Sequence, residues 1–213
     1  ERFQFGKHAR LDWGLEGMPA VQFERGDFMA EGDSMTYIPL LPFGLRGIDD
    51  RDFDTLLGRM FLDGHPDASA PAGFASIGTP ADDNLNPYLR AYQEDFAARA
   101  QWCAHDPAAC SHPAHVVEVT ADRSATAGER VNLTATIVDP DGKGFDAHWD
   151  VAVDPSSYAG VQDLSLWQEC TVGTAFIVPA DARPGDRFVL TLTVQTRAER
   201  PCTRYAQVAV TVA

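Results

Sequence analysis

The sequence predicts an α+β, multidomain chain in two parts. Residues 1–113 carry the helical signal, and residues 114–213 read as a β-sandwich. Three observations carry that division. One strong amphipathic helix ends at Trp102. From His112 onward, short β-branched runs alternate with polar turn clusters, the pattern of a sandwich of about 100 residues. A composition of 45% hydrophobic and 23% charged over 213 residues is that of a globular chain, long enough for one large domain or two small ones.

Taken in order, residues 1–45 are rich in glycine and aromatics and hold no sustained helical period. TYIPLL, 36–41, is apolar but broken by Pro39, which excludes a central strand and allows an edge strand or a loop. DFDTLLGRMFL, 52–62, places Phe53, Leu56, Leu57, Met60 and Phe61 on one helical face, and Gly58 weakens that helix by about 1 kcal/mol. A Gly/Pro/Ala/Ser-rich loop follows. In 86–102, Asn86 can cap, Pro87 suits the first turn, and Leu89, Tyr92, Phe96 and Ala100 share a face. Strands are expected at 115–119, 130–138, 146–153, 171–178, 188–195 and 205–212, with Trp149 filling the sandwich core. DPDGKG lacks the later bidentate glutamate of a calcium loop and reads as a hairpin turn.

Charge narrows the partners. Residues 1–113 hold 18 acids and 9 bases, residues 114–213 hold 13 and 8, and the chain carries −14. Neither part has a basic patch, so nucleic acid and anionic membrane are excluded as partners. No apolar run is long enough to span a membrane. The chain begins at Glu1 and shows no signal peptide, so a leader removed or a longer parent protein is expected.

Four cysteines stand at 103, 110, 170 and 202, with no Cys-x-x-Cys pair of a zinc knuckle. Of three connectivities, Cys103–Cys110 with Cys170–Cys202 needs the fewest long excursions. Two such disulfides place the protein outside the cytoplasm, secreted, periplasmic or in the cell envelope; four free thiols are the other reading. The six histidines lack the i,i+4 spacing of a helical metal pair, so surface roles are expected for them.

The order of several segments resembles a known family. YQEDFAARAQWC followed by VDPDG, YAG, VPADARPGD and TRY looks like the C-terminal region of bacterial nucleoside-hydrolase-like proteins, some described as cellulose-binding. EGDSMTYIPLLPFGL, 31–45, is similar to that family's EGDTPSFLYLIPNGL. The resemblance covers about 31–213. It implies the C-terminal fragment of an α/β nucleoside-hydrolase-like domain, 1–113, followed by an immunoglobulin-like β-sandwich, 114–213. The family's N-terminal aspartate cluster has no match, since Asp49, Asp50, Asp52 and Asp54 look like helix-capping acids. The family's Gly- and Trp-rich segment after LPFGL is replaced by RGIDDRDFDTLLGRM. A missing N-terminal portion or a second chain would then complete the domain.

The resemblance also supplies a site. Such hydrolases hold Ca²⁺ with carboxylates to orient a sugar diol and activate water. By motif position Asp33 is the late metal or sugar ligand, with Glu31 and Ser34 beside it; the plain alternative is a capped acidic turn. His8, beside Lys7 and Arg10, is a candidate for a sugar or anionic ligand. Two functions stay open: binding or hydrolysis of a carbohydrate or glycoside, and a non-catalytic carbohydrate-binding or envelope interaction module that keeps only the fold.

Overall fold

The computed structural model describes residues 40–47, 53, 56, 88–153, 158–161 and 164–213. Helix α1 spans Leu89–Trp102 and leads through a 3-10 turn, Pro107–Ala109, into seven strands. These are β1 His115–Val119, β2 Arg123–Ala125, β3 Arg130–Val138, β4 Phe145–Val153, β5 Gly173–Ile177, β6 Arg187–Thr196 and β7 Thr203–Val212. They form a three-stranded sheet ordered β1-β3-β5 and a four-stranded sheet ordered β2-β7-β6-β4. All pairings are antiparallel except β2 with β7, which is parallel.

Alternation builds the core. In β3, Val131 and Leu133 point inward while Arg130, Asn132 and Thr134 are exposed. Phe176 of β5, Trp149 of β4, Phe188, Leu190, Leu192 and Val194 of β6, and Val208 and Val210 of β7 meet them in one cluster. Burying each such side chain is worth about 1.5–3 kcal/mol. The expected core role of Trp149 holds, and its indole N–H is buried without an acceptor.

β7 departs from alternation: Thr203 to Ala209 are all buried. Its second face lies under α1, Phe43, Phe53 and Leu56. Tyr205 packs with Phe43, Leu56, Tyr88, Ala91 and Tyr92, and Ala209 packs with Phe53 and Val189. The Tyr88 and Tyr205 rings meet edge to face at 5.1 Å. Burial pushes the Tyr205 hydroxyl up to about 12.

The free edge of β7 is covered as well. The Tyr205 N–H donates to the Phe43 carbonyl at 2.7 Å. The Ala209 N–H donates to Asp122 Oδ1, and Asp122 takes both Arg46 terminal nitrogens at 2.7 Å. Arg46 holds the Asp122 carboxyl below its ordinary value, against the opposing effect of burial. Residues 40–47 are irregular backbone, not a strand. Gly44 sits at φ +90°, where a Cβ would stand 1.9 Å from the Tyr205 carbonyl oxygen.

The helix differs from expectation in its face. Its buried stripe is Tyr88, Ala91, Tyr92, Asp95 and Ala98, with Phe96 and Ala100 half-buried. The stripe shifts because Asp95, 4% exposed, reaches Arg204 of β7 at 2.8 Å and Arg99 at 2.6 Å. Tyr88 occupies the N-cap, with no side-chain cap hydrogen bond, while Asn86 and Pro87 lie outside the described residues. Of the expected helix 52–62 only Phe53 and Leu56 are described, in a bend and a turn.

One strand is unexpected and one expectation is corrected. β2 was hidden in a polar stretch, because three residues gain a strand only by pairing with β7. DPDGKG is a turn, closed by Asp139 accepting from Asp141 N–H and Gly144 N–H. It joins β3 to β4 in the opposite sheet, so it is not a hairpin. The division at 113/114 falls between α1 and β1, yet α1 packs on β7, so contacts cross it.

Two outcomes are expected. Asp95→Ala leaves the Arg204 guanidinium buried without its partner and should lower unfolding free energy by about 3–5 kcal/mol in denaturant titration. Loss below 1 kcal/mol would mean that water reaches Arg204. Gly44→Ala cannot keep both the left-handed backbone and the Tyr205 contact. Hydrogen exchange at the Tyr205 amide should quicken at least tenfold, and an unchanged rate would remove 40–47 from the clamp.

Candidate functional site

His8, Glu31, Asp33 and Ser34 all lie outside the described residues. Among the described residues the groups that converge are different: His148, Glu169 and Cys170.

β4 is the terminal strand of its sheet, and its outer face carries Asp146, His148 and Asp150, while Trp149 faces the core. His148 stands opposite Thr193 of β6, and Asp146 opposite Gln195. These residues, with Ala147 and Cys170, line a shallow open depression of about 390 Å³. Among the described residues nothing packs on this half of the outer face, whereas α1, Phe43, Phe53 and Leu56 cover the β7 half.

Cys170 arrives from the segment before β5. That segment bridges back to β5 at Trp167 and Ala175, and Thr174 Oγ1 donates to the Trp167 carbonyl at 2.7 Å. Gln168 then adopts φ +56°, unique among the described non-glycine residues. Thr171 Oγ1 donates to the Gln168 carbonyl at 3.1 Å and closes the turn. The Trp149 N–H donates to the Glu169 carbonyl at 2.8 Å, which ties the turn to the edge of β4.

The result is a linear relay. Cys170 Sγ is 3.6 Å from His148 Nδ1, and His148 Nε2 is 3.1 Å from Asp150 Oδ1. The carboxylate at Nε2 fixes the tautomer with its proton there and leaves the Nδ1 lone pair facing sulfur. Nitrogen, sulfur and carboxylate oxygen within 4.8 Å of one another suit a borderline cation. They do not suit Ca²⁺, which takes oxygen ligands. The expected surface role of His148 is therefore incomplete. No local spacing could have found the cluster, since 22 residues separate His148 from Cys170.

The cysteine expectation is corrected: all four are free thiols. Cys170 lies outside β4, and Cys202 lies beside the start of β7, with β4 and β6 between them. Three strand spacings make roughly 14 Å, against a disulfide limit of about 7 Å between Cα atoms. Cys103 and Cys110 are closer in sequence, but each thiol turns to a carbonyl on its own chain, Arg99 and Asp106. The extracytoplasmic location inferred from disulfides has none to rest on. Burial pushes the Cys202 thiol up to about 11.

A second histidine pair is structural. His112 stacks on Trp102 at 5.3 Å and meets Asp141 Oδ1 at 2.8 Å through Nδ1. Burial raises the Asp141 carboxyl, but the His112 hydrogen bonds together with the His112 and Lys143 charges leave it lowered. The pair sits at the entry to β1, with His112 half-buried.

No protein-family model matches the sequence, and no curated protein is similar to it at a significant level. The fold is similar to that of a nucleoside hydrolase-related hypothetical protein from Saccharophagus degradans, which is associated with carbohydrate metabolism. Identity is 21%, the TM-score is 0.68, and the match covers 88% of this chain and 49% of that one. The chain thus spans about half the length of that protein. A titin M10 complex with an obscurin-like 1 Ig domain matches at 18% identity and TM-score 0.30, over 48% of this chain and 94% of that one. An endo-β-1,4-mannanase from Thermotoga petrophila matches at 12% identity and TM-score 0.28, over 62% and 24%. Those two scores are too low to carry an argument.

Thiol labelling should separate the cysteines by exposure. In metal-free native protein a disulfide reagent should modify Cys103 and Cys170 rapidly, and Cys110 and Cys202 only after unfolding. Rapid reaction at all four positions, or at none, would contradict the burial described above.

Proposed function

We propose that this chain is the C-terminal part of a carbohydrate-directed, nucleoside-hydrolase-related protein, and that it binds glycans without hydrolysing them itself. The observation that carries the reading is the match over 88% of the chain to the Saccharophagus degradans protein. The strand order supports an immunoglobulin-like sandwich, since β2 pairs parallel to β7 while β3 and β5 pair in the other sheet. The packing of α1, Phe43 and Leu56 on β7 supports an accessory unit held against a neighbouring hydrolase-like portion.

Binding is preferred over hydrolysis for a chemical reason. Glycosidic cleavage needs two carboxylates flanking the bond or a metal-activated water. Among the described residues no set of oxygen ligands converges for Ca²⁺, and the one metal-type cluster has sulfur and nitrogen in it. The assignment of Ca²⁺ to Asp33, with Glu31, Ser34 and His8 near the sugar, belongs to the proposal for the complete protein.

Affinity electrophoresis in gels containing cellulose derivatives, xylan or mannan tests the reading, with nucleoside hydrolysis assayed in parallel in Ca²⁺. The chain should be retarded by at least one polysaccharide and release no base. No retardation on any of them would end the binding proposal, and hydrolysis by this chain alone would end its non-catalytic half.

A further inference from the structure

We propose that His148 Nδ1, Cys170 Sγ and the Glu169 carboxylate bind a zinc-class divalent cation, with a fourth coordination position open to the depression on the outer face of β4 and β6. The inference is independent of what the chain does with carbohydrate.

Distance is the first argument. Zn–S near 2.3 Å and Zn–N near 2.05 Å at a tetrahedral angle require a sulfur–nitrogen separation of about 3.6 Å. The Cys170–His148 separation is 3.6 Å. The Glu169 oxygen lies within 4.8 Å of both, and a tetrahedral edge calls for roughly 3.5 Å. Glu169 is exposed and its backbone is pinned by the Trp149 N–H, so rotation of its side chain closes that gap without moving the turn.

The second argument is orientation. A metal-bound histidine commonly donates its other ring N–H to a carboxylate, which fixes the tautomer and raises ligand basicity. Asp150 holds that place at 3.1 Å from Nε2. His148 and Asp150 share the outer face because they are two residues apart on a strand. Asp150 is thus a positioning residue.

The third argument is charge. The cluster sets two groups that ligate as anions, the Cys170 sulfur and the Glu169 carboxylate, beside one imidazole, and a divalent cation favours thiolate and carboxylate together. On binding, the Cys170 thiol proton leaves to solvent, and the sulfur electron pair forms the bond to the cation. Asp146 lines the same depression, but Arg197 Nε holds its carboxylate at 3.0 Å. The fourth position is therefore left to water or to a ligand oxygen, with Thr193 and Gln195 below it.

Titration of the metal-free chain with Co²⁺ tests this. One equivalent should produce a thiolate-to-cobalt charge-transfer band with tetrahedral visible absorption, and Zn²⁺ should displace both. Cys170→Ser should abolish the charge-transfer band, and His148→Ala should weaken binding at least 100-fold. Asp150→Ala should weaken it by about 10–100-fold, as loss of an outer-shell partner does. Each variant should keep the metal-free melting temperature, because these side chains lie at the surface. Zn²⁺ should also protect Cys170, but not Cys103, from thiol labelling. Absence of a cobalt band in the unaltered chain would overturn the proposal. So would a band that survives Cys170→Ser and disappears in Cys103→Ser.

Discussion

β7 has almost no solvent face, and the rest of the structure follows from that. A strand buried on both faces must be matched by apolar or paired groups on each. Val208 and Val210 meet the sandwich core, and Tyr205 and Ala209 need a second cover. That cover comes from far away in sequence, in α1 and in Phe43, Phe53 and Leu56. Phe53 illustrates the fit: fully buried, it packs on Val189 and Ala209 between the guanidinium groups of Arg46, at 4.1 Å, and Arg187, at 5.1 Å. A single apolar ring thus shields two cations and one sheet face.

The same cover is not purely apolar. Asp95 and Arg204 are both almost fully buried, and the desolvation of two charges offsets much of their attraction. Arg99 on Asp95, the Thr203 carbonyl on Arg204 and the Phe43 ring at 4.5 Å supply the remaining partners. An apolar pair of equal volume would hold the helix as well. The ion pair adds direction: only one rotation of α1 brings Asp95 to Arg204 while Tyr88 meets Tyr205. We take it as the element that fixes helix orientation rather than a large net source of stability.

Legibility in the sequence divides along the range of the interactions. Six strands were readable because β-branched alternation is local, and their ends moved by only one or two residues. Helix α1 was readable from propensity, but its buried face was misjudged. Asp95 scores as polar, and only a distant cation makes it an interior residue. β2 was unreadable because its three residues carry no pattern and become a strand through their neighbour. The disulfides were misread for a related reason: cysteine spacing measures the chain, whereas bond formation depends on strand order. The cluster of His148, Glu169 and Cys170 gave no signal, since a turn and a strand from separate parts of the chain bring it together. The resemblance pointed instead to residues 31–34, and local charge to His8, all of which lie outside the described residues.

Strand β4 shows how a requirement of the fold can create a site. It is the terminal strand of a sheet, and such an edge invites pairing with other chains unless something covers it. Here the turn at 167–171 lies against it, and the Glu169 carbonyl takes the Trp149 N–H. The turn reverses direction through Gln168 at φ +56°, a conformation that costs a non-glycine residue about 1 kcal/mol or more. Covering the edge needs only a backbone carbonyl, which almost any turn could present. What this turn adds is the placement of two successive side chains, Glu169 and Cys170, over a histidine already oriented by Asp150. Edge protection accounts for the backbone and leaves the choice of those side chains unexplained. Cation binding accounts for the choice, and it places the strain at Gln168 in the service of the site as well as the edge.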